Sequence, residues 1–250
     1  MVFVYLFFFA IGIIFGSFFN VVGLRIPKKR SIVQPRSHCP HCGHFLSWYE
    51  LIPIFSYVLQ KGKCRSCRVP ISAIYPVMEL FTGLLFVFSF YKIGFSMELL
   101  VALPFVSLLI IITVSDLSYK LIPNRILIFF FVLFVLLRTW IPLHPWYDSI
   151  IGMTVGFVLL YIIAIVSNGG MGGGDIKLFA VLGYALGLKG VLLAFFLSTL
   201  IGALFGLFGI ITKQLSRKSA IPFGPFISIG AVLSYFYETE IFHWYIQLII

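Results

Sequence analysis

Eight long apolar stretches divide the 250-residue chain, and they limit its fold more than any motif does. About 20 such residues cross the hydrocarbon core of a bilayer. On that rule the spans are expected at roughly Phe3–Leu24, Ile74–Tyr91, Leu99–Val114, Ile126–Trp140, Ile150–Val166, Ile176–Leu188, Val191–Thr212 and Phe223–Phe236. The chain is 61% hydrophobic and only 10% charged, which excludes a soluble domain with a large core. The expected class is an all-α polytopic membrane protein with about eight transmembrane helices. The sixth span is short. It reads as tilted, re-entrant, or fused to the seventh around Gly187 and Gly190. The final Ile241–Ile250 is too short to cross and is expected at the interface. No basic residue precedes the first apolar run, and Arg25, Lys28, Lys29 and Arg30 follow it, so it reads as a first span and not as a cleavable signal.

The net charge of +10 raises nucleic acid as a partner, but the basic residues fall in the loops between apolar runs. Topology signals and anionic lipid headgroups are the expected reason, with no nucleic acid partner. With the N-terminus outside, fifteen of the eighteen Lys and Arg lie on the inner side, including Lys120, Arg125, Lys177, Lys213, Arg217 and Lys218. The outer exceptions are Lys92, Arg138 and Lys189. This bias supports both the count and the orientation. Gly12, Gly16 and Asn20 share one face of the first helix, and Gly202 and Gly206 share one face of the seventh. Both sets predict close helix packing, with Asn20 as interhelical hydrogen-bond glue.

All four cysteines lie in the first inner loop, as Cys39-Pro-His-Cys42 and Cys64-Arg-Ser-Cys67, with 21 residues between the pairs. Two C-x-x-C knuckles at this separation suit one tetrahedral structural zinc. A redox pair and a labile disulfide are the alternatives, disfavoured by a cytoplasmic placement. His38, His41 and His44 are substitute ligands, although four sulfurs already close the site. Between the knuckles, Leu46–Tyr57 is aromatic and apolar, with Glu50 its one charge. It reads as the mini-core of the zinc loop, as a surface lying on the membrane, or as part of a substrate or cofactor pocket. The domain layout expected is a first span at 1–24, a cytoplasmic zinc-binding loop domain at 25–73 and a transmembrane catalytic domain at 74–250.

The chain holds eight acids, so elimination is informative. Glu98, Asp148, Glu238 and Glu240 fall on the outer side and Glu50 in the cysteine loop, leaving Glu79, Asp116 and Asp175 near or within spans. Acids at membrane depth are functional candidates by default. Asp116 ends an inward-running helix and Asp175 begins an outward-running one, so both are expected at the cytoplasmic edge. Asp175 closes the run Gly169-Gly170-Met171-Gly172-Gly173-Gly174. Glycine there lets the backbone leave helical geometry and lets another chain approach. Two carboxylates at one level suit an aspartic-protease pair, one ionised and activating water, the other protonated and polarising the carbonyl. Capping of the following helix is the structural alternative for Asp175. Glu79 is either an interfacial partner for a basic loop residue or part of a second site, and Lys177 reads as a positive-inside anchor.

These residues together resemble the bacterial type IV prepilin peptidases. The likeness runs along nearly the whole chain. It includes Gly16-Ser-Phe-Phe-Asn20 with Arg25-Ile-Pro27, the two cysteine pairs with Glu50-Leu-Ile-Pro53 between them, and Asp116 followed by Leu121-Ile-Pro-Asn124. Gly172-Gly-Gly-Asp175-Ile-Lys177 and Pro222-Phe-Gly-Pro225 extend it. Asn124 departs from the pattern, since many members carry Asp there.

The resemblance implies a membrane-embedded aspartic endopeptidase of the bacterial plasma membrane, with Asp116 and Asp175 as the catalytic pair. Gly172, Gly173 and Gly174 would open access to a substrate backbone, and Cys39, Cys42, Cys64 and Cys67 would hold zinc. Such enzymes cut the basic leader from prepilins and pseudopilins, and many also N-methylate the new N-terminus with S-adenosylmethionine. The zinc-loop half is associated with that step. No glycine-rich cofactor fingerprint places the donor, and Glu50 and Glu79 are candidates for that second site. Two other readings compete: a presenilin-like protease, which shares the Gly-x-Gly-Asp motif but not the cysteine loop, and a proton-coupled transporter using both acids as relays.

Overall fold

The computed structural model describes residues 1–167, 170–214 and 221–249, the last without its side chain. Gly169, Arg217, Lys218 and Ile250, named in the sequence expectations, lie outside the described residues. The described residues form eight α-helices: α1 Val2–Arg25, α2 Phe55–Leu59, α3 Ile74–Ile93, α4 Leu99–Tyr119, α5 Asn124–Trp140, α6 Asp148–Val166, α7 Gly173–Ile211 and α8 Gly224–Ile249. A single 3-10 turn, Trp48–Leu51, precedes α2. No strand occurs among the described residues; only isolated bridges pair His38 with Phe45 and Lys63 with Pro70. The chain is an all-helical membrane protein.

Each apolar segment of the sequence falls on a helix. Among the described residues, five helices are long and apolar enough to cross a membrane by length and composition: α1, α3, α4, α6 and α7. The sixth and seventh segments are the two arms of α7, fused across Gly187, whose φ of 80° and ψ of −176° interrupt the helix. The tail after Phe236 is not a separate element. It continues α8 beyond a kink at Tyr237.

The chain divides into two compact units, Met1–Ser118 and Tyr119–Ile250. In the first, α1 and α3 run antiparallel along a seam of small residues. A Cβ on Gly12 would lie 2.7 Å from Gly83 Cα, and one on Gly16 would lie 2.8 Å from Glu79 Cα. The two backbones therefore touch, and dispersion between them replaces side-chain packing. Asn20 closes the seam by donating from Nδ2 to Tyr75 O at 3.1 Å, the role expected of it. At the other end Phe8 stacks on Phe90 with ring centroids 4.6 Å apart, and Leu99 at the start of α4 joins this cluster.

In the second unit the tightest crossing joins α6 and α7. Gly152 and Gly183 face each other so closely that a Cβ on either would strike the other's backbone, and one on Gly156 would meet Phe179 O at 2.6 Å. The expected pair Gly202 and Gly206 behaves differently. Gly202 meets the rings of Phe223 and Phe226, and the nearest atom to a Cβ on Gly206 is a side-chain carbon of Ile221 at 3.8 Å. Their helix face is covered by side chains and not by an approaching backbone.

The break in α7 is bracketed by charge. Arg138, buried near the end of α5, donates from Nη2 and Nε to Ala185 O at 2.6 and 3.1 Å. Asp148, at the start of α6, accepts the Leu188 N–H at 3.3 Å on both carboxylate oxygens. A cation thus caps the C-terminal end of the first arm and an anion the N-terminal end of the second, the favourable sense for both helix dipoles. Ser234 of α8 adds a hydrogen bond to Gly190 O at 2.7 Å.

Candidate active site and metal centre

Asp175 lies in the first turn of α7, because the helix begins at Gly173 and not at Ile176 as expected from the apolar run. The unwound part is correspondingly shorter. Gly172 is the N-cap, in extended conformation, and accepts the Asp175 N–H at 3.0 Å. The three glycines before Asp175 have different surroundings. A Cβ on Gly172 would lie 3.0 Å from Asp175 Oδ2, so its absence leaves room for the carboxylate to fold back over the cap. A Cβ on Gly173 would meet nothing within 4 Å. A Cβ on Gly174 would press on Ile122 Cβ at 2.8 Å, so this glycine seats the loop before α5 against α7.

Lys177 strengthens the same junction by donating from Nζ to Asn124 Oδ1 at 3.1 Å. The sequence reading gave Lys177 a topological role alone. The bond also gives Asn124 a purpose that its neutral side chain can serve. Asp175 is partly exposed, in the first turn of α7.

Asp116 belongs to the first unit. It lies within the last turn of α4, which runs on to Tyr119 instead of ending at Val114. The side chain is buried, as is that of Ser115. After the helix Lys120 takes a left-handed conformation, φ 52°, and Pro123 leads directly into α5. Asp116 and Asp175 are thus both within terminal helical turns, each in its own compact unit.

The four cysteines converge. Their sulfurs all lie within 4.8 Å of one another, with Cys39 to Cys67 at 3.8 Å and Cys42 to Cys64 at 4.0 Å. A tetrahedron with Zn–S bonds of about 2.3 Å has edges of about 3.8 Å, so the donor set fits zinc. The two knuckles repeat one backbone design. Cys39 N–H donates to His44 O and Cys64 N–H to Val69 O, both at 2.9 Å. Gly43 N–H returns to Cys39 O and Arg68 N–H to Cys64 O, again at 2.9 Å, and Gly43 and Arg68 both have positive φ.

Thiolate character is unevenly shared among these cysteines. The backbone N–H groups of Cys42 and His41 lower Cys39 to about 6. The Val69 N–H also favours the Cys67 thiolate, but burial and three neighbouring thiols outweigh it and raise Cys67 to about 11. A divalent cation removes that crowding by holding all four as thiolates. Cys64→Ser is expected to lower zinc content from one per chain to well below one and to make residues 30–70 protease-sensitive, measured by metal analysis and limited proteolysis. Retention of one zinc with unchanged proteolysis contradicts a four-sulfur site.

Glu50 and Glu79 hold opposite ends of the segment between the knuckles. Glu50 accepts the Ser47 N–H at 2.9 Å and pairs with His44 Nε2 at 3.1 Å. Burial alone pushes its pKa up, but these partners outweigh burial and hold the carboxyl below the usual range. Glu79, on α3, accepts the Ile54 N–H at 2.7 Å and a hydrogen bond from the Ser17 hydroxyl. Sequence reasoning missed this bond because 25 residues separate its partners. Of the readings open for Leu46–Tyr57, a mini-core is excluded. Glu50 is the one buried residue of the segment, and Trp48 and Phe55 are 76% and 62% exposed.

Comparison with known proteins accords with this arrangement. Residues 10–93 match the bacterial peptidase A24 N-terminal domain, and residues 103–207 match the type IV leader peptidase family. A prepilin leader peptidase/N-methyltransferase of Bacillus subtilis is 48% identical over 96% of this chain and 97% of its own length. Proteins of the same name from Myxococcus xanthus and Xanthomonas campestris are 37% and 32% identical, over 80% and 95% of this chain and 62% and 92% of theirs. No solved structure matches. With near-complete coverage at this identity, and with both domains matched in order, the chain belongs to the type IV leader peptidase family.

Proposed function

We propose that this protein is a membrane-embedded aspartic endopeptidase that removes the basic leader from prepilins or pseudopilins at the cytoplasmic membrane face and then N-methylates the new N-terminus. The observation that carries the peptidase reading is the start of α7. There Asp175 folds back over Gly172, whose missing side chain leaves the carboxylate room, next to Gly173, where nothing crowds the backbone. An extended substrate has room to approach at that point. Asp116 is the second acid, chosen because it is buried at a helix end in a chain with only eight acids.

In this scheme one carboxylate, ionised, takes a proton from water as the oxygen attacks the scissile carbonyl. The other, protonated, hydrogen-bonds to the carbonyl oxygen and steadies the charge that develops there. The acid and base then exchange roles as the leaving amine is protonated. The same two residues therefore serve both halves of the reaction.

The division into a first span at 1–24, a zinc loop at 25–73 and a catalytic membrane part at 74–250 belongs to this proposal. So do the outside N-terminus and the cytoplasmic loop, which rest on the distribution of Lys and Arg. Zinc is the proposed structural cofactor. S-adenosylmethionine supplies the methyl group when bound, and no residue is assigned to it. The carboxylates of Glu50 and Glu79 are engaged within the loop itself, so their role in that second site is to hold Leu46–Tyr57 in place.

The test is an assay of the purified protein with two membrane substrates, one bearing a prepilin-like leader and one an unrelated transmembrane helix, with labelled S-adenosylmethionine present. Cleavage of the first alone, with label on its new N-terminal amine, is the expected result. Equal cleavage of both points instead to a general presenilin-like protease, and cleavage without label removes the methylation step.

A further inference from the structure

The segment between the cysteine knuckles is turned inside out. Its acid is buried and its apolar side chains face outward: Trp48 is 76% exposed, Leu51 41%, Ile52 40%, Phe55 62%, Val58 65% and Leu59 82%. Phe55, Val58 and Leu59 are spaced to share one face of α2. None of the six belongs to a candidate span. A contiguous apolar face left open to water marks an interaction surface.

Three observations select its occupant. The first is a tether. Ile54 immediately precedes α2 and is bound to Glu79, in the second turn of the candidate span α3. Its backbone is strained, with φ 63° at a β-branched residue and a tight turn closed by Phe55 N–H to Pro53 O at 2.6 Å. Such a conformation persists only where the surroundings impose it. The bond to Glu79 holds α2 beside the end of a membrane helix.

The second observation is charge. Residues 25–73 contain nine Lys and Arg and one acid. That acid, Glu50, is buried and paired with His44, so the exposed charge of the loop is basic. Lys61, Lys63, Arg65 and Arg68 follow α2 directly. The third is the aromatic pair Trp48 and Tyr49, residue types that favour the headgroup layer. Arg65 donates to Tyr49 Oη at 2.6 Å and keeps the basic rim next to the aromatic face.

An apolar face with a basic rim complements an anionic lipid surface. The side chains reach the acyl boundary while Lys and Arg meet phosphates. A second copy of the chain would bring like charge against like. We propose that the segment 46–59 docks on the anionic headgroup layer of the bilayer, so that the four-cysteine loop lies on the membrane instead of standing away from it. The seat is independent of the peptidase chemistry and stands or falls without it.

The test uses the full, zinc-loaded chain in lipid nanodiscs, one chain per disc, with Trp140, Trp146 and Trp244 replaced by Phe so that Trp48 alone reports. In discs containing phosphatidylglycerol, bromine on the upper acyl chain is expected to quench most Trp48 emission, and acrylamide little of it. In phosphatidylcholine-only discs lipid quenching should weaken. Joint replacement of Phe55, Val58 and Leu59 by Ser should remove it while zinc content stays at one per chain.

Strong acrylamide quenching without lipid quenching overturns the proposal. So does shielding from both quenchers, which indicates a protein cover. Hydrogen exchange over 46–59 in the unaltered chain provides a readout without substitutions. It is expected to slow when phosphatidylglycerol is added, and unchanged exchange also overturns the seat.

Discussion

Asp116→Asn and Asp175→Asn are each expected to lower the rate of leader removal by about 10³-fold or more, while zinc content and elution behaviour stay those of the parent. The change preserves size and removes only the ability to carry charge and exchange a proton. It also separates the competing roles of Asp175. Asp175 is the third residue of α7, so a purely structural role would be its charge in the helix field, about 0.3–1 kcal/mol, which predicts a small loss of stability and almost no change in cleavage. The Asp175 carboxylate folds back over Gly172. The double variant tests the pairing itself. Two groups that act as a unit are not additive, so Asp116→Asn with Asp175→Asn should be no slower than the worse single variant. If the two losses multiply, the acids act in separate steps. If either folded single variant cleaves at the parent rate, the pair is not the catalytic centre.

The same site shows which features a sequence carries. Asp116 and Asp175 stand out in the sequence as candidates because acids are rare in a chain of apolar helices, where each one has a reason to be present. The cysteine knuckles were legible because their geometry is local, each built from hydrogen bonds that reach no more than five residues. The α1–α3 seam was legible from Gly12, Gly16 and Asn20, which fall on one helical face. The equally tight seam of Gly152 and Gly156 against Gly183 and Phe179 carries the same small-residue spacing, but it lies within runs that are apolar on all sides. A helix in lipid has no polar face to betray which side is packed.

Distant pairings were the other loss. Glu79 with Ile54, Lys177 with Asn124, and Arg138 with Ala185 join residues that are 25, 53 and 47 positions apart. Each joins groups on different elements, which no local pattern encodes. Arg138 is the sharpest example. By position it was a charge at the outer end of the fourth span, one of three exceptions to the positive-inside count. In the structure it is buried and holds the broken helix. Leu46–Tyr57 was ambiguous, since its apolar composition fits a core as well as a surface, and its side chains form a surface.

Gly187→Ala is expected to cost several kcal/mol of stability, and Arg138→Met about 2 kcal/mol or more, because both act on the break in α7. Gly187 has φ 80° and ψ −176°, a region open essentially to glycine alone, where any other residue costs about 1–3 kcal/mol. A Cβ there would also press into the carboxylate of Asp148. Arg138 works from the other side of the break. Two of its nitrogens reach Ala185 O, and charge-assisted bonds of this kind contribute about 1.5–3 kcal/mol when one partner is removed. Arg138→Lys should recover only part of the loss, since an ammonium is a point donor and not a planar fork. Asp148→Asn keeps an acceptor for the Leu188 N–H and should cost least of the four. Gly206→Ala is the control, because its nearest neighbour is 3.8 Å away and Ala is the better helix former. Thermal unfolding in detergent should rank the variants in that order, with Gly206→Ala at or above the parent. Cleavage by the surviving folded fraction carries the second consequence. The first arm of α7 bears Asp175 at its start and Gly187 at its end, so a change in the break tilts the arm that presents the acid. Arg138→Met is therefore expected to lower kcat per folded molecule. A variant that unfolds earlier but cleaves at the parent kcat would show that the break supports the fold without aiming Asp175.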